Sequence, residues 1–235
     1  MNVRNTAITL FAVATCSAAW AQPVASEKIR WIGEFIIGGH ATPIVLRDRS
    51  GTPGAVSGID LPGKGVLDVP LKNVRISGDL SHFEMQAGPE LTTFDGERTE
   101  DRIRGSVAQG GKQGQFTLVR TEVISPARLG ELAGSYQLAP GRVIDISPMD
   151  APAGQLVYVD KQALRKGALI GQSDSRFISG PSLNVPYPIA LRAEFMRDRR
   201  GLVTGVRWNE GKITLLGRKI SNAPSKDQHP AIVSP

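Results

Sequence analysis

The sequence predicts an all-β protein: two consecutive small antiparallel β-barrels or sandwiches with a short helix between them. Three observations carry this expectation. From Trp31 onward, apolar and polar residues alternate in runs of about four to eight, broken by Gly, Pro, Asp or Ser, which is the pattern of half-buried strands joined by tight turns. Ser125-Pro126 is the one well-formed helix start, with serine at the cap and proline at the first helical position. The units on either side echo each other, opening with Gly33-Glu34-Phe35 and Gly134-Ser135-Tyr136 and closing with Gln115–Arg120 and Lys212–Arg218 over nearly equal lengths.

Residues 1–21 read as an export signal, with Arg4 as the positive start, Thr6–Thr15 as a short apolar core and Ala19-Trp20-Ala21 as the cleavage site. The mature chain then starts at Gln22 and is expected in the periplasm or outside the cell. Cys16, the single cysteine, lies inside that signal, so neither a disulfide framework nor a cysteine metal site is expected. Lipidation at Cys16 is the weaker reading, because Thr15 fits the position before a lipobox cysteine poorly. No apolar run approaches the roughly 20 residues that cross a bilayer.

After a polar leader at 22–29, the first β-domain is expected over 30–124. Its strands are Trp31–Ile37, Ile44–Arg47, Ala55–Leu61, Val66–Leu71, Val74–Ile76, His82–Met85, Ile103–Val107 and Phe116–Arg120. Gly33 falls inside the first, as a bend or a point of close packing. The Gly-containing run Asp95–Asp101 reads as an acidic, solvated loop. A linking helix follows at 125–133, then a second β-domain at 134–220. Its strands are Tyr136–Ala139, Val143–Ile146, Leu156–Val159, Leu164–Gly171, Phe177-Ile178, Leu191–Phe195, Val203–Trp208 and Lys212–Lys219. Residues 221–235, with Pro224, Pro230 and Pro235, read as a disordered tail. A meander of this kind suits a sandwich or an up-and-down barrel, not a βαβ nucleotide fold.

The charge is mild. Lys and Arg number 28 against 22 Asp and Glu, a net +6, and the excess is scattered with acids interleaved, as Asp198 is among Arg197, Arg199 and Arg200. A nucleic-acid partner would ask for a concentrated basic stripe, so none is expected. The three histidines, His40, His82 and His229, are too dispersed for a zinc site, and no cofactor or metal is expected. Glu84, Glu97, Glu100 and Asp101 could pair for glycoside-type chemistry, but read more simply as solvated loop and strand-edge charges. Gly51-x-x-Gly54 and Gly110-Gly111 lack the Lys-Ser/Thr and the following helix of a phosphate loop. The remaining candidate is an apolar lumen lined by Trp31, Phe35, Phe83, Phe116, Tyr136 and Phe177. Alternation alone leaves open whether these rings fill a barrel or surround a ligand.

Several strings resemble a known family. Trp31-x-Gly33, Gly58-Ile59-Asp60, Pro70-Leu71 before Val74, Phe94-Asp95-Gly96, and Gly105-Ser106 before Phe116-Thr117-Leu118 are similar to the β-rich N-terminal region of exported bacterial α/β-hydrolases of the serine-peptidase and esterase type. The second unit, with Leu132-Ala133-Gly134-Ser135-Tyr136, Phe177, Phe195 and Gly201–Val206, resembles the small calycin-like barrel appended to such hydrolases and to serine β-lactamase-like enzymes. The resemblance implies a non-catalytic accessory or binding module whose partner is a hydrolase domain; a lipocalin-like binder of a small apolar ligand is the alternative, and a truncated or atypical hydrolase the third reading. The nearest string to a G-x-S-x-G nucleophile elbow is Gly171-Gln172-Ser173-Asp174-Ser175, with serine in place of the last glycine. No S-x-x-K pair occurs, so no catalytic residue is assigned.

Overall fold

A computed structural model of the chain describes residues 29–49, 52–150, 154–181, 183 and 187–223. The expected export signal at 1–21, most of the expected leader and the part of the expected tail beyond Ala223 lie outside them. The described chain forms two closed barrels, each of eight antiparallel strands in sequence order. The first holds β1 (Ile29–Ile37), β2 (His40–Arg47), β3 (Gly58–Leu61), β4 (Val66–Ser77), β5 (Leu80–Gln86), β6 (Leu91–Arg98), β7 (Arg102–Gln109) and β8 (Lys112–Glu122). The second holds β9 (Gly134–Ala139), β10 (Arg142–Pro148), β11 (Gln155–Asp160), β12 (Arg165–Gly171), β13 (Arg176–Ser179), β14 (Leu191–Arg197), β15 (Val203–Glu210) and β16 (Ile213–Ser221). Between them runs α1 (Pro126–Leu132), where the Ser125 hydroxyl accepts from the amide of Arg128 at 3.4 Å.

The period-two pattern becomes an inside and an outside once the sheets close. Trp31, Gly33 and Phe35 point into barrel 1, whereas Ile32 points out. Closure is made along the β1–β8 seam, where Gly33 sits opposite Leu118 and Ile37 opposite Gly114. A Cβ on Gly33 would lie 1.8 Å from the carbonyl oxygen of Thr117, so only glycine lets the two backbones approach this closely.

Two elements differ from the sequence expectation. Leu91–Arg98 is a strand, and only Thr99–Asp101 remains of the acidic loop. Its inward positions are Thr92, Phe94 and Gly96, too weak an apolar alternation to stand out, while Asp95 faces outward and meets His82 Nδ1 at 2.6 Å. The expected strands Val66–Leu71 and Val74–Ile76 are one strand, β4, with its register shifted between Lys72 and Arg75. Asn73 takes up the irregularity with a left-handed φ of 51° and donates to Glu84 at 2.7 Å, as a β-bulge allows.

Both interiors are packed with rings. In barrel 1 Phe83 stacks on Phe94 with centroids 4.6 Å apart, and Phe35 and Phe116 meet Phe94 edge-on at 5.6 and 5.3 Å. In barrel 2 Phe195 meets Tyr136 and Phe177 edge-on, and Tyr158 meets Trp208. One end of each barrel is closed by a cation over an aromatic ring. The Arg98 guanidinium lies 5.3 Å from the centre of the Trp31 ring, and Lys219 Nζ lies 5.7 Å from that of Tyr136 while donating to the carbonyl of Glu131 in α1. Leu129 and Leu132 of α1 are buried in the barrel 2 core, and the Tyr136 hydroxyl donates to Leu132 O at 2.6 Å, so the helix stoppers that end.

The barrels touch through outward residues. Ile32 and Val119 of barrel 1 pack on Ala168, Ile170 and Ile178 of barrel 2 in a separate apolar cluster.

Candidate functional site

The candidate site is the end of barrel 1 away from Trp31. Four connections form its rim. The Gly38-Gly39 turn, with φ of 59° and 80°, is a two-residue hairpin whose left-handed backbone favours glycine, and it sets His40 at the start of β2 opposite Ile37. After β3, the short 3-10 turn Pro62–Lys64, ended by Gly65 in left-handed conformation, carries Lys64 to the rim. The β5–β6 connection supplies Ala87 and Glu90, and the Gly110-Gly111 turn between β7 and β8 brings Gln109 and Lys112.

These residues surround a cavity of about 250 Å³. Its floor is apolar, formed by Phe35, Ile37, Leu61, Met85 and Ala87, and its rim carries His40, Lys64, Glu90 and Lys112, all exposed. Gln109 donates to the buried Thr92 hydroxyl at 2.9 Å, which gives that hydroxyl a partner within the wall. Glu90 lies flat over the β7–β8 turn: a Cβ on Gly110 would meet its Oε1 at 2.4 Å. Lys64 and Lys112 make no ion pair among the described residues.

The same end of barrel 2 is built differently. Inward-facing Arg142, Asp160, Arg165 and Glu210 fill it. The fully buried Asp160 accepts from Arg142 Nε at 2.9 Å and Nη2 at 2.6 Å, and from the amide of Ala163 at 2.9 Å. Glu210 Oε1 accepts from Arg142, from Arg165 and from the Trp208 indole at 2.7 Å. This network closes the mouth that barrel 1 leaves open.

The six aromatic residues expected around a lumen fall in the two interiors, and only Phe35 reaches the barrel 1 mouth. Trp31, Phe83 and Phe116 pack deeper in barrel 1, and Tyr136 and Phe177 belong to the barrel 2 core. The mouth residues Leu61, Lys64, Met85, Glu90 and Lys112 were not singled out by sequence reasoning. Continuing the period-two alternation through Met85-Ala87 and across the tight Gly110-Gly111 turn would have placed several of them inward. Ser173 lies in the turn between β12 and β13, its hydroxyl accepting from the amides of Ser175 and Arg176, and a strand follows it. No group of three or more His, Cys, Asp or Glu positioned to hold a metal ion occurs among the described residues, and no helix among them is long and apolar enough to cross a membrane.

Larger depressions lie outside the barrels, of about 920 Å³ beside α1 and of about 580 and 370 Å³ between the barrels. Part of the wall of the first is formed by Arg128 and Arg197, which share the Glu131 carboxylate. No protein-family model matches the chain, and no curated protein matches it either.

Proposed function

We propose that the chain is a binding module whose site is the mouth of barrel 1, where it seats one apolar group of a small ligand or partner. The observation that supports this most is the contrast between two barrels of the same strand order: one end is filled by a four-residue ionic network, and the corresponding end keeps an apolar-floored cavity. Binding sites are typically concave and apolar with a few polar groups at the edge, and this cavity is somewhat below the roughly 300–1,000 Å³ of pockets for drug-sized ligands. It suits a short chain or a single side chain. The packed rings below it argue for shallow binding instead of the deep lumen of a lipocalin-like carrier.

Ala87 is a half-buried part of the floor, so Ala87→Trp should fill the cavity from its outer side, and is expected to weaken octanol binding at least tenfold with little change in unfolding midpoint. Saturation-transfer NMR with octanol measures this. Equal saturation in the parent and in Ala87→Trp would reject the site.

The accessory role beside a serine hydrolase, implied by the sequence resemblance, is the wider setting we propose for this module: it would hold an apolar part of a substrate or product close to a hydrolase domain. Export belongs to the same proposal. Removal of residues 1–21 is expected to leave Gln22 as the first residue, and an intact-mass measurement on protein from the periplasm or medium that finds Met1 still present would refute it.

A further inference from the structure

The mouth of barrel 1 combines an apolar floor with a rim whose charges are unequal. Lys64 and Lys112 are both exposed and without ion pairs among the described residues, and His40 offers a further donor. The one rim carboxylate, Glu90, is folded against the backbone of Gly110. A ligand whose head reaches the rim therefore meets two ammonium groups that no carboxylate among the described residues pairs.

We propose, resting on the reading of this mouth as the binding site, that the ligand class is a medium-chain carboxylate, its apolar end among Phe35, Leu61, Met85 and Ala87 and its carboxylate between Lys64 and Lys112. Size sets the chain length. A water occupies about 30 Å³ of liquid and a methylene takes about the same, so a cavity of about 250 Å³ holds roughly eight such groups. Charge sets the head. An ammonium on an exposed stem has reach and rotational freedom but little geometric selectivity, so it accepts a carboxylate at the end of a flexible chain without demanding a fixed approach. Barrel 2 offers no equivalent, because Asp160 and Glu210 already occupy Arg142 and Arg165 at that end.

The test uses the full chain, isotopically labelled, titrated with octanoate, octanol and octylamine while the amides of Lys64, Ala87 and Gly110–Lys112 are followed by NMR. Octanoate is expected to bind about tenfold tighter than octanol, and octylamine weakest, because each exposed charge pair is worth a few-fold in affinity. Affinity should rise about fourfold per added carbon from butanoate and level off near octanoate, where the cavity is full. In Lys64→Gln/Lys112→Gln the preference for octanoate over octanol should vanish while octanol binding is retained. Octanol equal to octanoate, or octylamine the tightest, overturns the carboxylate assignment while leaving the mouth as the site. If none of the three moves the mouth amides, the reading of the mouth as a binding site falls with it.

Discussion

Replacing Gly33 by alanine is expected to destabilise barrel 1 by about 3 kcal/mol or more. The added methyl would stand 1.8 Å from Thr117 O, 2.8 Å from Thr117 C and 2.9 Å from Leu118 Cα. All three are backbone atoms of β8, so no side-chain rotation relieves the clash; the β1–β8 seam must part instead. That seam closes the barrel, and opening it exposes two strand edges and part of the aromatic core together. Gly114 lies on the same seam, its added Cβ 1.8 Å from Ile36 O, and should respond alike. Gly63→Ala is the control, since nothing lies within 4 Å of its Cβ position, and should change stability by less than about 0.5 kcal/mol. Urea unfolding followed by Trp31 fluorescence, with Trp20 and Trp208 changed to phenylalanine, reads barrel 1 alone. A Gly33→Ala midpoint matching the parent would mean that the two backbones do not approach as described.

The second large effect is expected at the closed end of barrel 2. Asp160→Leu should cost roughly 3–5 kcal/mol, because it leaves the Arg142 guanidinium in the barrel without its main partner and strips the acceptor from the Ala163 amide. The double variant Arg142→Met/Asp160→Leu should recover most of that loss, since removing both charges also removes their desolvation cost. Trp208 fluorescence reports on this barrel, its indole being bonded to Glu210. A double variant no more stable than the single one would show that the pair holds the barrel closed by more than mutual neutralisation.

The same network gives barrel 2 an acid limit. Burial pushes the Glu210 carboxyl up, but hydrogen bonds from Trp208, Arg142 and Arg165 together outweigh it and hold the group below its ordinary 4.5. A carboxylate depressed on folding stabilises fully above its unfolded value, and that contribution is lost as pH falls through the folded value. Unfolding of barrel 2 should therefore be insensitive to Glu210 from neutral pH down to about 4.5 and become sensitive below it. In Glu210→Gln this component of the acid dependence should disappear.

What the amino-acid order determined by itself was the material of the fold. Alternation at Trp31-Ile32-Gly33-Glu34-Phe35 assigns each side chain to one face of a strand, the Ser125-Pro126 start locates α1, and the glycine inside β1 marks a close approach, because each of these is a property of neighbours in sequence. β6 was illegible for the same reason: Thr92, Phe94 and Gly96 give its inward face only one large apolar side chain, so the acidic residues between them dominate the local pattern. Tertiary structure decided how far along each barrel axis a residue sits and which residues of distant strands meet there. Closure and register place Lys64 and Lys112, from unconnected turns, around one cavity, and gather Arg142, Asp160, Arg165 and Glu210 into a plug. Period two fixes a side of the sheet, but height within a barrel depends on the stagger between strands, which no local pattern encodes.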